Sequence, residues 1–239
     1  MGLLYRRIDH KKLMKTRTLL AGNLLVLLLL AAGPSRAADS MTTYSAKKGG
    51  KMRIEGTSNI HDWQVESGIV GGTLNVGPGF PTEPGQVAQP GKVEAKAEVF
   101  VPVMSLKSLE KSGAPYSDAM DNVMYDHLKS ADNARIIYRL KELVLKEAAK
   151  DNSSPNVFDS TGDLTVAGVT KSVSMPVNVW PLADKRLKIT GTTTLKMTDF
   201  NVEPPSPKGL SLLIRTGDEV KIIFEWMLAQ KTPVASAGK

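Results

Sequence analysis

In KVEAKAEVFVPV, Lys92–Val103, the side chains Val93, Ala95, Ala97, Val99, Val101 and Val103 alternate with Glu94, Lys96 and Glu98. A period of two puts the first set on one face of a strand and the charges on the other. The same period recurs toward the C-terminus. RLKITGTTTLKM sets Leu187, Ile189, Gly191, Thr193, Leu195 and Met197 on one side. EVKIIFEWML does so with Val220, Ile222, Phe224, Trp226 and Leu228, and KSVSMPVNVW with Val173, Met175, Val177 and Val179. Each predicts a half-buried strand with one wet face. Pro176 marks an edge or a bulge, because it has no N–H to give to a ladder. KMRIEGTS, WQVESGIVGGTLNV, RIIYRLKELVLKE and DSTGDLTV add weaker strand signals, for a total of about eight or nine. Helical patterns are scarce, so the class is all-β, an antiparallel sandwich or barrel.

SDAMDNVMYDHLKS, Ser117–Ser130, departs from that period. It opens on an N-cap residue, and Met120, Val123, Met124 and His127 then recur at helical spacing. It predicts one short helix covering part of the barrel, with its methionines packed into the core. VGPGFPTEPGQVAQPGK, Val76–Lys92, is a long Gly/Pro-rich loop, and Phe200–Glu219 is a second connection stiffened by Pro204, Pro205 and Pro207.

The N-terminus reads as an export signal. Arg6, Arg7, Lys11, Lys12, Lys15 and Arg17 precede the apolar run LLAGNLLVLLLLAAG, Leu19–Gly33, and Ser35 and Ala37 follow at the spacing of a cleavage site. The run is short for a span of ~20 residues, so a signal peptide over 1–37 is favoured over an uncleaved anchor. Met14 is an alternative start. Residues 1–37 hold seven basic residues (the six above and Arg36) and one acid, Asp9. The remainder keeps 24 Lys+Arg (31 less 7) against 23 Asp+Glu (24 less 1) and is nearly neutral. The high isoelectric point therefore gives no support to nucleic acid as a partner. The address is periplasmic or secreted, and the absence of cysteine removes thiol, disulfide and Cys-zinc chemistry. A barrel domain is expected over 38–229 and a disordered tail over 230–239.

EGTSNIHDW, GDLTVAGVTKSVSMPV, DFNVEPP and TGDEVKIIFEW stand in that order at strand positions, and the helix runs on into HLKSADNARIIYRL. Together they resemble the YceI-like family of exported lipid-binding proteins. The resemblance implies an eight-stranded antiparallel barrel, lipocalin-like but extended, around a long amphiphilic lipid such as a polyisoprenoid or a quinone-like molecule. It implies no other cofactor, and it leaves transient membrane contact and a homodimer open. Met124-Tyr125-Asp126 before His127, and Asn133-Ala134 before the next strand, depart from the family pattern near the expected pocket.

An eight-stranded barrel either encloses one ligand or is filled by its own side chains. Aromatics are only 5% of the chain, and Ala95, Ala97, Gly191 and Thr193 are small at inward positions. That leaves room for a chain-like ligand, each isoprene unit offering roughly 3–4 kcal/mol gross. The expected lining is Val99, Val101, Ile136, Tyr138, Leu195 and Met197. The competing reading is a filled barrel that acts in the cell envelope as a structural or interaction module. Trp63 is expected to plug one end of the barrel. His61 either braces its neighbours or reads a ligand head group. Strand alternation would turn Asp62 away from His61, unless a bulge or turn among the turn formers of TSNIHDW re-aims it, and no catalytic dyad is expected. Two histidines without ligand spacing give no metal site, and no nucleophile-elbow motif supports a hydrolase. The chain is read as a binding protein and not an enzyme.

Overall fold

A computed structural model describes residues 41–205 and 215–232. The proposed signal peptide, most of the predicted tail and part of the second long connection lie outside them.

Twelve strands and one helix follow in order: β1 (Thr42–Ala46), β2 (Lys51–Ser58), β3 (Trp63–Ser67), β4 (Gly71–Val76), β5 (Gly91–Lys92), β6 (Ala95–Pro102), β7 (Lys107–Leu109), α1 (Asp118–His127), β8 (Arg135–Glu147), β9 (Asn156–Val166), β10 (Val169–Leu182), β11 (Arg186–Lys196) and β12 (Thr216–Gln230). They build eight staves. The first three staves are bent pairs, β1 with β2, β3 with β4, and β6 with β7; the other five are continuous. Each stave pairs antiparallel with the next, and β12 closes the ring by pairing with both β1 and β2. The result is an up-and-down barrel, with the β10–β11 ladder confined to the stretch from Val177–Gly191 to Leu182–Arg186.

The bends have local causes. Gly49, at φ 100°, turns the chain between β1 and β2. The buried Ser67 hydroxyl accepts from Ile69 N and bonds the Ser105 hydroxyl at 2.7 Å, tying the second bend to the third. On the outer face, cross-strand ion pairs stand opposite one another. Arg53 grips Glu66 at 2.8 Å and Arg139 grips Glu98 at 2.9 Å. Exposed pairs of this kind are worth ~0–1 kcal/mol each. They penalise a register slip that would bury the charges.

The solid core occupies one end. Tyr44, Val76, Leu145, Phe158, Val179, Leu187 and Leu228 are fully buried there, and Phe80 from the β4–β5 loop stacks on Phe158 at 5.6 Å. Gln230 still pairs with Tyr44, and Lys231 N donates to Thr43 O at 2.8 Å. The last stave thus runs past residue 229, where the tail was expected to begin.

The helix lies at the other end. Ser117 caps it by accepting from Met120 N. Two inward side chains one turn apart fix it. Asp121, 3% exposed, accepts from Ser108 N at 2.7 Å and from Lys107 Nζ at 2.9 Å. Tyr125 donates to Leu106 O at 2.7 Å. Burial alone would raise the Asp121 carboxyl, but the Ser108 and Lys107 bonds together outweigh it and hold the group below its ordinary value. Its contribution to stability is therefore present above the ordinary carboxylate pKa and fades as pH falls through the lowered one. Asp121→Ala orphans a buried Ser108 N–H, at a cost of about 1–3 kcal/mol. Hydrogen exchange should show α1 and β7 losing protection while β9–β12 keep theirs. The stability gap between wild type and variant should close in acid.

Candidate functional site

Between the solid end and the helix the barrel is hollow. A cavity of about 1290 Å³ runs from the Phe80 floor to a mouth formed by the β2–β3 turn and α1. Most of its lining is aliphatic or aromatic, with Asp62, Gln64, Glu110, Lys111, Asp126 and Lys196 among the polar exceptions. Binding pockets for drug-sized ligands are usually ~300–1,000 Å³, so this one is large, and the filled barrel is not what the chain builds.

Val99, Val101, Ile136, Tyr138, Leu195, Met197, His61 and Trp63 all line this cavity. In the wall, Val99 stands opposite Tyr138, Val101 opposite Ile136, and Tyr138 opposite Leu164. Leu195 and Met197 lie toward the mouth, where β11 runs into a short 3-10 turn. The β10–β11 ladder ends at Val177–Gly191, beside Pro176. Beyond that point Val173, Met175, Thr193 and Leu195 face the cavity across an unladdered seam.

Trp63 is not a plug. Its indole lies flat against the wall over Gly56, where any Cβ would strike the ring, and its Nε1 donates to Thr57 O at 3.2 Å. Tyr138 repeats the arrangement over Gly162, where an added Cβ would sit 2.6 Å from the ring Cζ, and Phe224 repeats it over Gly191. Gly191 therefore makes room for a ring, not directly for a ligand. Of the other small positions, Ala97 and Thr193 face the cavity.

The mouth differs from the expected strand. Ser58–Asp62 is a turn in which the Ser58 hydroxyl accepts from His61 N and donates to His61 O at 2.7 Å. His61 is exposed, and its Nδ1 lies 2.9 Å from the Asp62 carbonyl, not its carboxylate. The absence of a dyad thus follows from turn geometry and not from strand alternation. Tyr116 meets the His61 ring edge-on at 6.5 Å. The apolar face of α1 is divided: Met124 packs against the core as read, while Met120 and Val123 turn to the mouth. Met120 and Val123 are 45% and 40% exposed there, and Ile60 and Tyr116 complete an apolar rim. His127 is half-buried in the same rim.

Sequence reasoning passed over Ser160, Tyr116 and Trp226 as lining residues. Ser160 shares its inward parity with Phe158, Gly162 and Leu164, so the period along DSTGDLTV already carried that signal. Tyr116 sits in a loop and gave none.

A family model described as YceI-like domain matches residues 58–228, and the chain belongs to that family. Two solved structures share the fold. BcnA of Burkholderia cenocepacia is 18% identical, with a TM-score of 0.52 over 74% of this chain and 95% of its own. A polyisoprenoid binding domain from Saccharophagus degradans, implicated in plant cell wall breakdown, is 15% identical, with a TM-score of 0.55 over 79% of this chain and 98% of its own. A search of curated proteins finds no match.

Replacing Val99 by Trp adds bulk to the wall beside Tyr138. In a packed core that change costs about 1–3 kcal/mol. In a hollow barrel the indole occupies free volume. The melting temperature should move by no more than roughly 4 °C, about 1 kcal/mol for a chain of this size, while displacement of a fluorescent fatty probe weakens at least tenfold. Unfolding of the variant would mean that the wall is already filled.

Proposed function

We propose that the chain is an exported carrier that holds a polyisoprenoid or another long amphiphilic lipid inside its barrel. One observation carries this reading: an apolar cavity of about 1290 Å³, closed at one end and open at the other. From Ser160 to Val166 the β9 wall rises roughly 20 Å, enough for several isoprene units. Burying methylenes at ~0.8 kcal/mol each would drive binding against its entropic costs. The ligand class is carried over from the name of the Saccharophagus degradans domain.

The apolar rim of Ile60, Tyr116, Met120 and Val123 is the face we assign to transient contact with a lipid surface during loading. The reading needs no catalytic step, and the neutral charge of residues 38–239 gives it no nucleic acid partner. Its place is the periplasm or the exterior, after removal of residues 1–37.

The test is extraction into organic solvent of protein purified natively from the exported fraction, followed by mass spectrometry. A stoichiometric long-chain lipid and a mature chain beginning at Ala38 are expected. A lipid-free extract, from protein that also fails to bind added polyprenol, would contradict the proposal.

A further inference from the structure

The cavity wall is mostly apolar, and a hydroxyl pair is built deep into it. Ser160 is 4% exposed and faces inward on β9, two residues above the Phe158 floor. That places it roughly 7 Å along the strand from the closed end. Its hydroxyl bonds the Tyr138 hydroxyl at 2.7 Å. The two groups hold two O–H protons but share one hydrogen bond. Whichever way that bond runs, one proton has no acceptor among the described residues. An unspent donor in an apolar setting costs about 1–3 kcal/mol.

The pair is also preorganised. Tyr138 can lie along the wall and reach Ser160 only because Gly162, between them on β9, has no side chain. Burial keeps the phenol neutral by raising its pKa, more than the Ser160 bond lowers it. Tyr138 is therefore a donor at any ordinary pH. Elsewhere in the lining, on β12, the buried Nε1 of Trp226 also finds no acceptor among the described residues. At the mouth, by contrast, the Trp63 donor is spent on a backbone carbonyl, and Lys111 and Lys196 are exposed to solvent.

From this geometry we infer that the Tyr138–Ser160 hydroxyl pair is a donor station for an acceptor oxygen of the ligand. The lipid enters with an oxygen-bearing end leading, a ketone, ester or quinone-type carbonyl lodges near the closed end, and its hydrocarbon trails toward the rim. A chain without such an oxygen binds through burial alone. The inference rests on the carrier reading and adds the ligand's polarity and direction.

The probes are farnesylacetone, an isoprenoid ketone, and its deoxygenated hydrocarbon analogue. Each is titrated into delipidated full-length protein against a fluorescent fatty probe. The wild type should prefer the ketone by about three- to tenfold, the worth of one hydrogen bond. Tyr138→Phe combined with Ser160→Ala keeps the ring over Gly162 and should bring that ratio to about one. The infrared carbonyl stretch of bound ketone should be red-shifted in the wild type and revert in the variant. Equal affinities in the wild type, or a preference and red shift that survive the double substitution, would overturn the inference while leaving the carrier reading intact. Failure of both probes to bind would overturn both.

Discussion

A large ring on the inner face of an eight-stranded barrel must either project into the lumen or lie along the wall. The second arrangement needs a neighbouring position without a side chain. This barrel supplies it for Trp63 over Gly56, Tyr138 over Gly162 and Phe224 over Gly191. The rings then contribute buried area and stiffness to the wall while the axis stays open. A side chain at Gly56 or Gly191 would displace the ring above it, and one at Gly162 would meet the Arg139 carbonyl as well as the ring, so the strand itself would have to shift. The hollow interior, the shape of the site and the reach of Tyr138 to Ser160 all follow from that constraint.

The division of the barrel into a solid end and an open end follows from the side chains available at each. At the closed end Tyr44, Phe158, Leu187 and Leu228 are fully buried and anchor the core. At the open end the helix is held by hydrogen bonds to the chain beneath it and by the packing of Met124, Tyr125 and Leu128 against the core. Asp121 and Tyr125 point down to β7 and the turn before it, which leaves Met120 and Val123 toward the mouth. Exposing those side chains costs folding free energy. That cost is consistent with a surface meant to meet lipid.

The stave pattern was legible because a barrel wall is wet on one side and apolar on the other, so the period of two survives in the sequence. Val99, Val101, Leu195 and Met197 could be placed on the lumen from parity alone. The helix was legible from Ser117 and the spacing of Met120, Val123 and Met124. Which way its apolar stripe faced was not, since a stripe looks the same over a packed core and over a mouth. Trp63 was misjudged because its wall position depends on Gly56, a contact set by the β2–β3 register. TSNIHDW carried turn formers, and Ser58, through three hydrogen bonds, does turn the chain where strand alternation would have continued it.

What occupies the lumen decides whether this barrel is a carrier. A high-resolution crystal structure of protein purified from its own cells without delipidation reads it directly. Elongated density is predicted from the Phe80–Phe158 floor to the His61–Tyr116 rim, with the rings of Trp63, Tyr138 and Phe224 flat against the wall. A collapsed lumen, with those rings turned inward and touching across the axis, would contradict it.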